Sequence, residues 1–391
     1  MTTPSFFQSR QLSLLVSDAL YLSTRTFSRR LTSLITRYSH EIRSIGGYFA
    51  ATITISDSPR RLEEWAAYGI GRHIETYNPS LVKIWEGFIN QITITEGSET
   101  FSIGPLLDVG NRQSVAYSPV DATVAPPVIG STGRTTTGNN TDSQAIYGIW
   151  QKLFSANQVT LTEANQLRDK LLTDPTRAYP DTSLDSSLES GGGLSVELQC
   201  LGYWHFLLGY YYTDSNTGYE SVTTKIQNVL AANPNGVFSA DTLQIATNAT
   251  LVKKYDDGSR TAETILREAN SLGDSSFNAY TMGFYGGRQF VYQPVPVEIT
   301  YQRRATGNRG ITNQVNREVM PWDVLPARWI FRPDFMVGRF PPITAASLGT
   351  DPRAAFIEVV NFEAPYGLSI NGRKLSQLDQ VLARRGFGAS A

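Results

Sequence analysis

Apolar and polar residues alternate along several stretches of this chain, and a two-residue period places one face of a pleated strand in a core. Residues 48–55 read this way after Gly46-Gly47, which marks a turn, and residues 73–77 and 81–95 follow with Asn78-Pro79 between them. Further strands are expected over residues 194–208, 297–303, 327–331 and 354–362, with a hairpin turning at Gly286-Gly287. Elsewhere the period is helical. Pro59 opens a helix with Leu62, Trp65 and Ala66 on one face, since proline suits the first turn. Asp142 offers an N-cap for a face of Ala145, Ile146, Ile149, Trp150 and Leu153, and Thr160 or Thr162 starts a helix carrying Leu167, Leu171 and Leu172. Val222, Ile226, Val229 and Leu230 run to Asn233-Pro234-Asn235-Gly236. Ser259 stands as cap for Ala262, Ile265, Leu266, Ala269 and Leu272, which Gly273 closes. Ser376 begins a terminal helix, and Leu31, Leu34 and Ile35 have the spacing of a short one.

The order is strand-rich, then helical, then strand-rich again. That predicts an α+β, β-rich fold with barrels toward both ends and a helix-containing insertion. At 391 residues the chain exceeds one ordinary core. We divide it into an N-terminal β-barrel region (1–121), a loop and helical insertion (122–193), a mixed α/β region (194–300) and a C-terminal β-rich region with the terminal helix (301–391). Residues 122–142 are crowded with Thr, Gly, Asn, Ser and Pro, and read as a long structureless loop. Aromatics at 11% and abundant Thr and Ser in the strand-like stretches favour pleated sheet.

Charge narrows the partners. The net charge of −1 gives no global attraction to nucleic acid or membrane. Arginines gather at Arg10, Arg25, Arg29, Arg30, Arg37 and Arg43, and again at Arg303, Arg304, Arg309, Arg317, Arg328, Arg332 and Arg339. Between the latter lie Trp322, Phe335 and several prolines. Such content suits an irregular segment clamped on a neighbour, so Arg328, Arg332, Trp322 and Phe335 are the candidate subunit interface. No stretch approaches the roughly 20 apolar residues that cross a bilayer, and the N-terminus lacks the pattern of a secretory signal. A protein made in the cytosol, leaving by assembly or lysis, is therefore expected.

Catalytic and cofactor motifs are not found. The one cysteine, Cys200, sits in an alternating strand pattern as a core thiol. His40, His73 and His205 have no partner at metal-ligand spacing, and His205 reads as a core or rim histidine. Gly69-Ile70-Gly71 lacks the third glycine of a dinucleotide loop and lies between a helix and a strand in the wrong order. Glu86 beside Trp85 is the one carboxylate to check for glycoside hydrolysis, against a reading as a solvent-facing strand residue. Trp204, Tyr210, Tyr211 and Tyr212 are candidates for a sugar-stacking platform, against a reading as core and interface residues.

Four groups of segments together resemble the tail-tip or baseplate hub family of tailed bacteriophages. They are Ile45-Gly46-Gly47-Tyr48-Phe49 with Trp65 and Gly69 to Asn78; Trp85-Glu86-Gly87-Phe88-Ile89, similar to the W-x-G-x-I strand of such hubs; Arg260 to Asp274 with Met282-Gly283-Phe284-Tyr285 and Tyr292-Gln293-Pro294; and Arg328-Trp329-Ile330-Phe331 with Asp351-Pro352-Arg353-Ala354 and Pro365 to Leu368. The resemblance implies tube-like β-barrel domains and no catalytic residues, cofactor or metal. It also implies a homotrimer joining the tail tube or distal tail protein to a spike or fibre, with DNA passing through without specific binding. A hexameric distal tail protein, or a carbohydrate- or receptor-binding module, are the alternatives. On this reading any receptor-binding or peptidoglycan-cleaving domain is expected on another polypeptide.

Overall fold

The structure, a computed structural model, describes residues 13–19, 29–30, 35–78, 82–121, 128–186, 192–236, 244–295, 300–303, 311–312, 318–319, 324, 326, 328–331, 354–364, 367–373 and 377–386. It is an α+β fold in which strands predominate. Its long strands lie side by side in the order Ser13–Ala19, Arg72–Tyr77, Lys83–Gly97, Gly192–Leu201, Ile45–Ile55, Ile35–Arg43, Ala354–Glu363 and Gly367–Arg373, each antiparallel to the next. Lys83–Gly97 is long enough to serve two partners on one edge. Its first half pairs with Arg72–Tyr77, and its second half with Glu99–Ile103, beyond which lies Thr182–Ser186.

Among the described residues the two ends of this row do not pair, so the sheet is open and forms no closed barrel within the chain. The expected barrels are therefore not seen among the described residues. An alternating pattern reports the pleat and which face is buried, whereas closure depends on strand tilt and stagger, which the pattern does not carry.

Two large cores flank the sheet, and a small third cluster gathers Val324, Ile357 and Val360 with Leu368 and Ile370. Trp85, Ile89, Ile92 and Ile94 enter one, with Leu62 and Trp65 of the Pro59–Tyr68 helix laid across it. Phe88 faces the other, packed on Trp150, Tyr203 and Phe206. Burial on both sides leaves every residue from 84 to 90 buried, so this part of the strand shows no clean alternation. The second core is completed by the helices Val222–Ala231 and Ala262–Ser271 and by the hairpin Tyr280–Tyr285 with Gln289–Pro294. Cys200 is a buried core thiol, as its strand pattern indicated.

A smaller sheet pairs Arg112–Ser118 in parallel with Gln151–Asn157. On the other edge of Arg112–Ser118 lie Gly133–Arg134 and Gly138–Asn139. The described part of the expected structureless loop is thus tied into a sheet, and Thr135 Oγ1 accepts from the Val115 N–H. Local capping also differs from expectation. Asn140, not Asp142, caps the Thr141–Tyr147 helix, which ends early so that Ile149 and Trp150 lead into a strand. Thr261, not Ser259, caps Ala262–Ser271. Thr160 forms a full capping box with Glu163. The predicted strand over residues 194–208 stops at Leu201, and Tyr203–Gly209 wind into a 3-10 turn. Ile35 begins a strand rather than lying in a helix, while Leu31 and Leu34 fall outside the described residues.

Candidate functional site

Three of the sequence segments that stood out converge on one junction. Met282-Gly283-Phe284 lies parallel to Ile45-Gly46-Gly47, and the Met282 N–H donates to the Ser44 carbonyl at 3.1 Å. Gly47 has φ +70°, and a Cβ there would come within 2.2 Å of the Phe284 carbonyl oxygen. A Cβ on Gly283 would lie 2.1 Å from the Gly47 nitrogen. Backbones approach this closely only where neither residue carries a side chain.

The far end of the same hairpin is held by Glu86. Its carboxylate is buried and accepts the Gly287 N–H at 3.0 Å and the Arg288 N–H at 2.5 Å. Both turn residues have left-handed backbone, Gly287 at φ 78° and Arg288 at φ 59°. The two charge-assisted bonds offset the strain that an arginine incurs in that conformation.

Glu86 stands directly across from Glu75 on the neighbouring strand. Two facing carboxylates repel. Lys83 resolves this, its ammonium donating to Glu86 Oε2 at 2.5 Å and also to Glu75 Oε1. Glu75 further accepts from the Tyr77 hydroxyl and from His73 Nε2 at 3.0 Å. In a neutral ring, His73 Nδ1 then accepts from the Tyr203 hydroxyl at 2.6 Å. Burial pushes the Glu75 carboxyl up, but the bonds from His73, Lys83 and Tyr77 outweigh it and hold it well below the usual carboxylate range. Burial likewise pulls Lys83 down, and bonding to Glu75 and Glu86 more than restores it.

His73, Glu75 and Glu86 bring three ligand-type atoms within 4.8 Å of one another. Their ligand atoms are spent on other partners here. Lys83 already bridges the two carboxylates, Glu86 is committed to the turn, and both nitrogens of His73 are engaged. The cluster is a charge-balanced lock joining two strands to a hairpin.

The sequence-predicted residues fare differently. Glu86 is neither solvent-facing nor a free acid, because the hairpin turn consumes its oxygens. Trp204, Tyr210 and Tyr212 are buried: Trp204 stacks on Phe290, and the Tyr210 hydroxyl donates to the Val229 carbonyl. Tyr211 alone of the four candidates is half-buried, so they do not form one exposed stacking face. His205 is a core histidine against Phe49. Arg328 opens the strand Arg328–Phe331, which pairs with Thr300–Arg303 and Ala354–Glu363. Trp322, Arg332 and Phe335 lie outside the described residues. The sequence reading missed Glu75, Lys83 and His73. The signal was present in His73-x-Glu75-x-Tyr77, an alternation that puts three polar side chains on one face.

This geometry defines a structural junction of a strand-rich protein. No family model and no curated protein matches the chain. Among solved structures it is similar to a tail protein from Neisseria meningitidis MC58, at 9% identity and TM-score 0.43, over 95% of this chain and 98% of that one. It is also similar to the 43 kDa tail protein of prophage MuSo2 from Shewanella oneidensis, at 6% identity and TM-score 0.36, over 95% and 98% of the two chains. A prophage tail protein from Listeria monocytogenes EGD-e aligns at 8% identity and TM-score 0.35, over 97% and 100%.

Proposed function

We propose that this protein is a structural component of a phage tail, a tail-tip or baseplate hub that joins the tail tube to a spike or fibre. It acts as a self-assembled ring of three copies in the virion, formed in the host cytoplasm. The observation that supports this reading is the convergence of the segments resembling tail hubs. Gly46-Gly47, Trp85-Glu86-Gly87 and Met282 to Arg288 meet at the junction described above and spend their chemistry on holding strands together. Residues of that kind serve a scaffold. A large sheet that stays open among the described residues also fits an assembly in which neighbours complete it, since exposed strand edges are otherwise a liability.

Labelling purified phage particles with antibody against this chain tests the place. Signal confined to the tail tip is expected, and signal on the capsid or absence from particles would overturn the reading. A hexameric distal tail ring is the alternative within the same class, and counting copies separates the two.

A further inference from the structure

One row of side chains crosses six strands on a single face of the large sheet: Ile35, Ile55, Val196, Ile94, Phe101 and Leu184, each paired with the next. The first three are buried, Ile94 and Phe101 progressively less so, and Leu184 is 69% exposed, the highest value among large apolar residues of the described chain. Leu184 lies on Thr182–Ser186, an edge strand that among the described residues pairs with Glu99–Ile103 alone. The apolar row therefore runs off the sheet uncovered. Four exposed carboxylates lie near its end. Glu96 and Glu99 lie one row further along on the same face, Asp185 is next to Leu184 on its strand but on the opposite face, and Asp181 stands just before that strand. None takes part in an ion pair among the described residues.

A pocket of complementary character lies elsewhere on the molecule. It has a volume of about 110 Å³, with Ile265, Ala269 and Leu272 at its base. Tyr219, Leu251 and Tyr255 line it and stay half exposed, at 51, 56 and 55%. Empty apolar cavities of roughly 150 Å³ admit a benzene ring, so this one has room for one aliphatic side chain. The charges beneath it are already matched. Lys225 pairs with Asp256 at 2.5 Å, and Arg260 pairs with Asp256 and Glu268. That leaves Lys253 on the lining and Lys254 beside it without an ion pair among the described residues.

The geometry points to one occupant: a second copy of this chain, which inserts Leu184 of its edge strand between Tyr219, Leu251 and Tyr255, its carboxylates meeting Lys253 and Lys254. An apolar knob in an acidic rim fits an apolar socket with a basic rim, and aromatic residues commonly anchor such contacts. Knob and socket are different surfaces of the same chain, so the contact is head-to-tail and repeats until a ring closes. The inference rests on the reading of the chain as self-assembling and names the surfaces that carry it.

The test uses the full chain and two variants, Leu184→Asp with an intact socket and Leu251→Asp with an intact knob, followed by sedimentation velocity over a concentration series. Wild type is expected to associate. Each variant alone should associate at least about tenfold more weakly, as loss of one buried leucine implies. An equimolar mixture of the two should stop at a heterodimer, because one intact junction remains and the outer surfaces are both blocked. Lys253→Glu should weaken wild-type association, and Glu99→Lys in the same chain should restore part of it. If wild type assembles and Leu184→Asp assembles equally well, the junction is wrong while the ring reading survives. If wild type stays monomeric, both fall. A Leu184→Asp chain that is monomeric like wild type and less stable would show that the leucine is covered by its own chain.

Discussion

Glu86 illustrates how a buried carboxylate can resemble catalytic equipment and serve as a fastener. Its two oxygens face two backbone N–H groups and one ammonium. Glu86→Gln keeps the shape but turns an amide NH2 toward a donor, leaving that turn N–H unsatisfied. Such a loss costs about 1–3 kcal/mol, and the thermal midpoint should fall with no change in any glycan-cleaving assay. Unchanged stability would show that the lock is not formed. The buried histidines set a second effect at this scale. Burial lowers His40 to about 3; burial lowers His205 to about 4, with nearby Arg43 and Arg267 adding to it against the Gly202 carbonyl. An unfolded histidine titrates near 6.5, so below that pH the unfolded chain takes up protons that the folded chain refuses. Stability should be full above about pH 6.5 and decline by up to roughly 1.4 kcal/mol per pH unit per histidine as pH falls toward the folded values. Glu75, held below the usual carboxylate range, adds a loss that begins only in more acid solution. Denaturant midpoints at pH 7 and pH 5 check this, and His40→Gln should flatten the slope. Equal midpoints would contradict it.

At the scale of elements, the close pairing of Gly47 and Gly283 should tolerate no side chain. Gly283→Ala forces two backbones apart at a cost of about 1–3 kcal/mol or more. The Met282 amide should lose its protection from hydrogen exchange. Thr160→Ala removes a capping box worth about 1 kcal/mol and should leave that amide protected, which separates a local cap from the central junction. The sequence disclosed such elements where one local rule decides. Pro59 with Leu62 and Trp65, Val222 with Ile226 and Val229, and the Gly286-Gly287 hairpin all stand where the pattern put them. It failed where the decision is tertiary. The residues of Thr182–Ser186 are all exposed, so no apolar period marks a strand that exists through pairing with Glu99–Ile103. Ile149 and Trp150 have helical spacing but lead into Gln151–Asn157, which is drawn into a parallel pair with Arg112–Ser118, and the Trp150 N–H is taken by Asn111 Oδ1. Glu86 was noticed as chemistry, and its role stayed hidden because its partners lie two hundred residues away.

Over the whole molecule, the described strands form a sheet that does not close, flanked by two large cores, and a balanced cluster of charges fixes the crossing of strand and hairpin. On the proposed hub reading, such a scaffold works by being joined to copies of itself. The arginine-rich stretch around Arg328 and Arg332 belongs to the same proposal. Arg328→Glu with Arg332→Glu should abolish assembly with tail partners and leave a weak DNA retention unchanged. Tight wild-type DNA binding that falls with salt and vanishes in that variant would reverse this assignment. The central claim is self-assembly as a hub, and the mass of the native particle tests it most directly. Native mass spectrometry of the purified full chain should give three times the chain mass of 43.2 kDa. A species of one chain mass at all concentrations, or of six, would contradict the account.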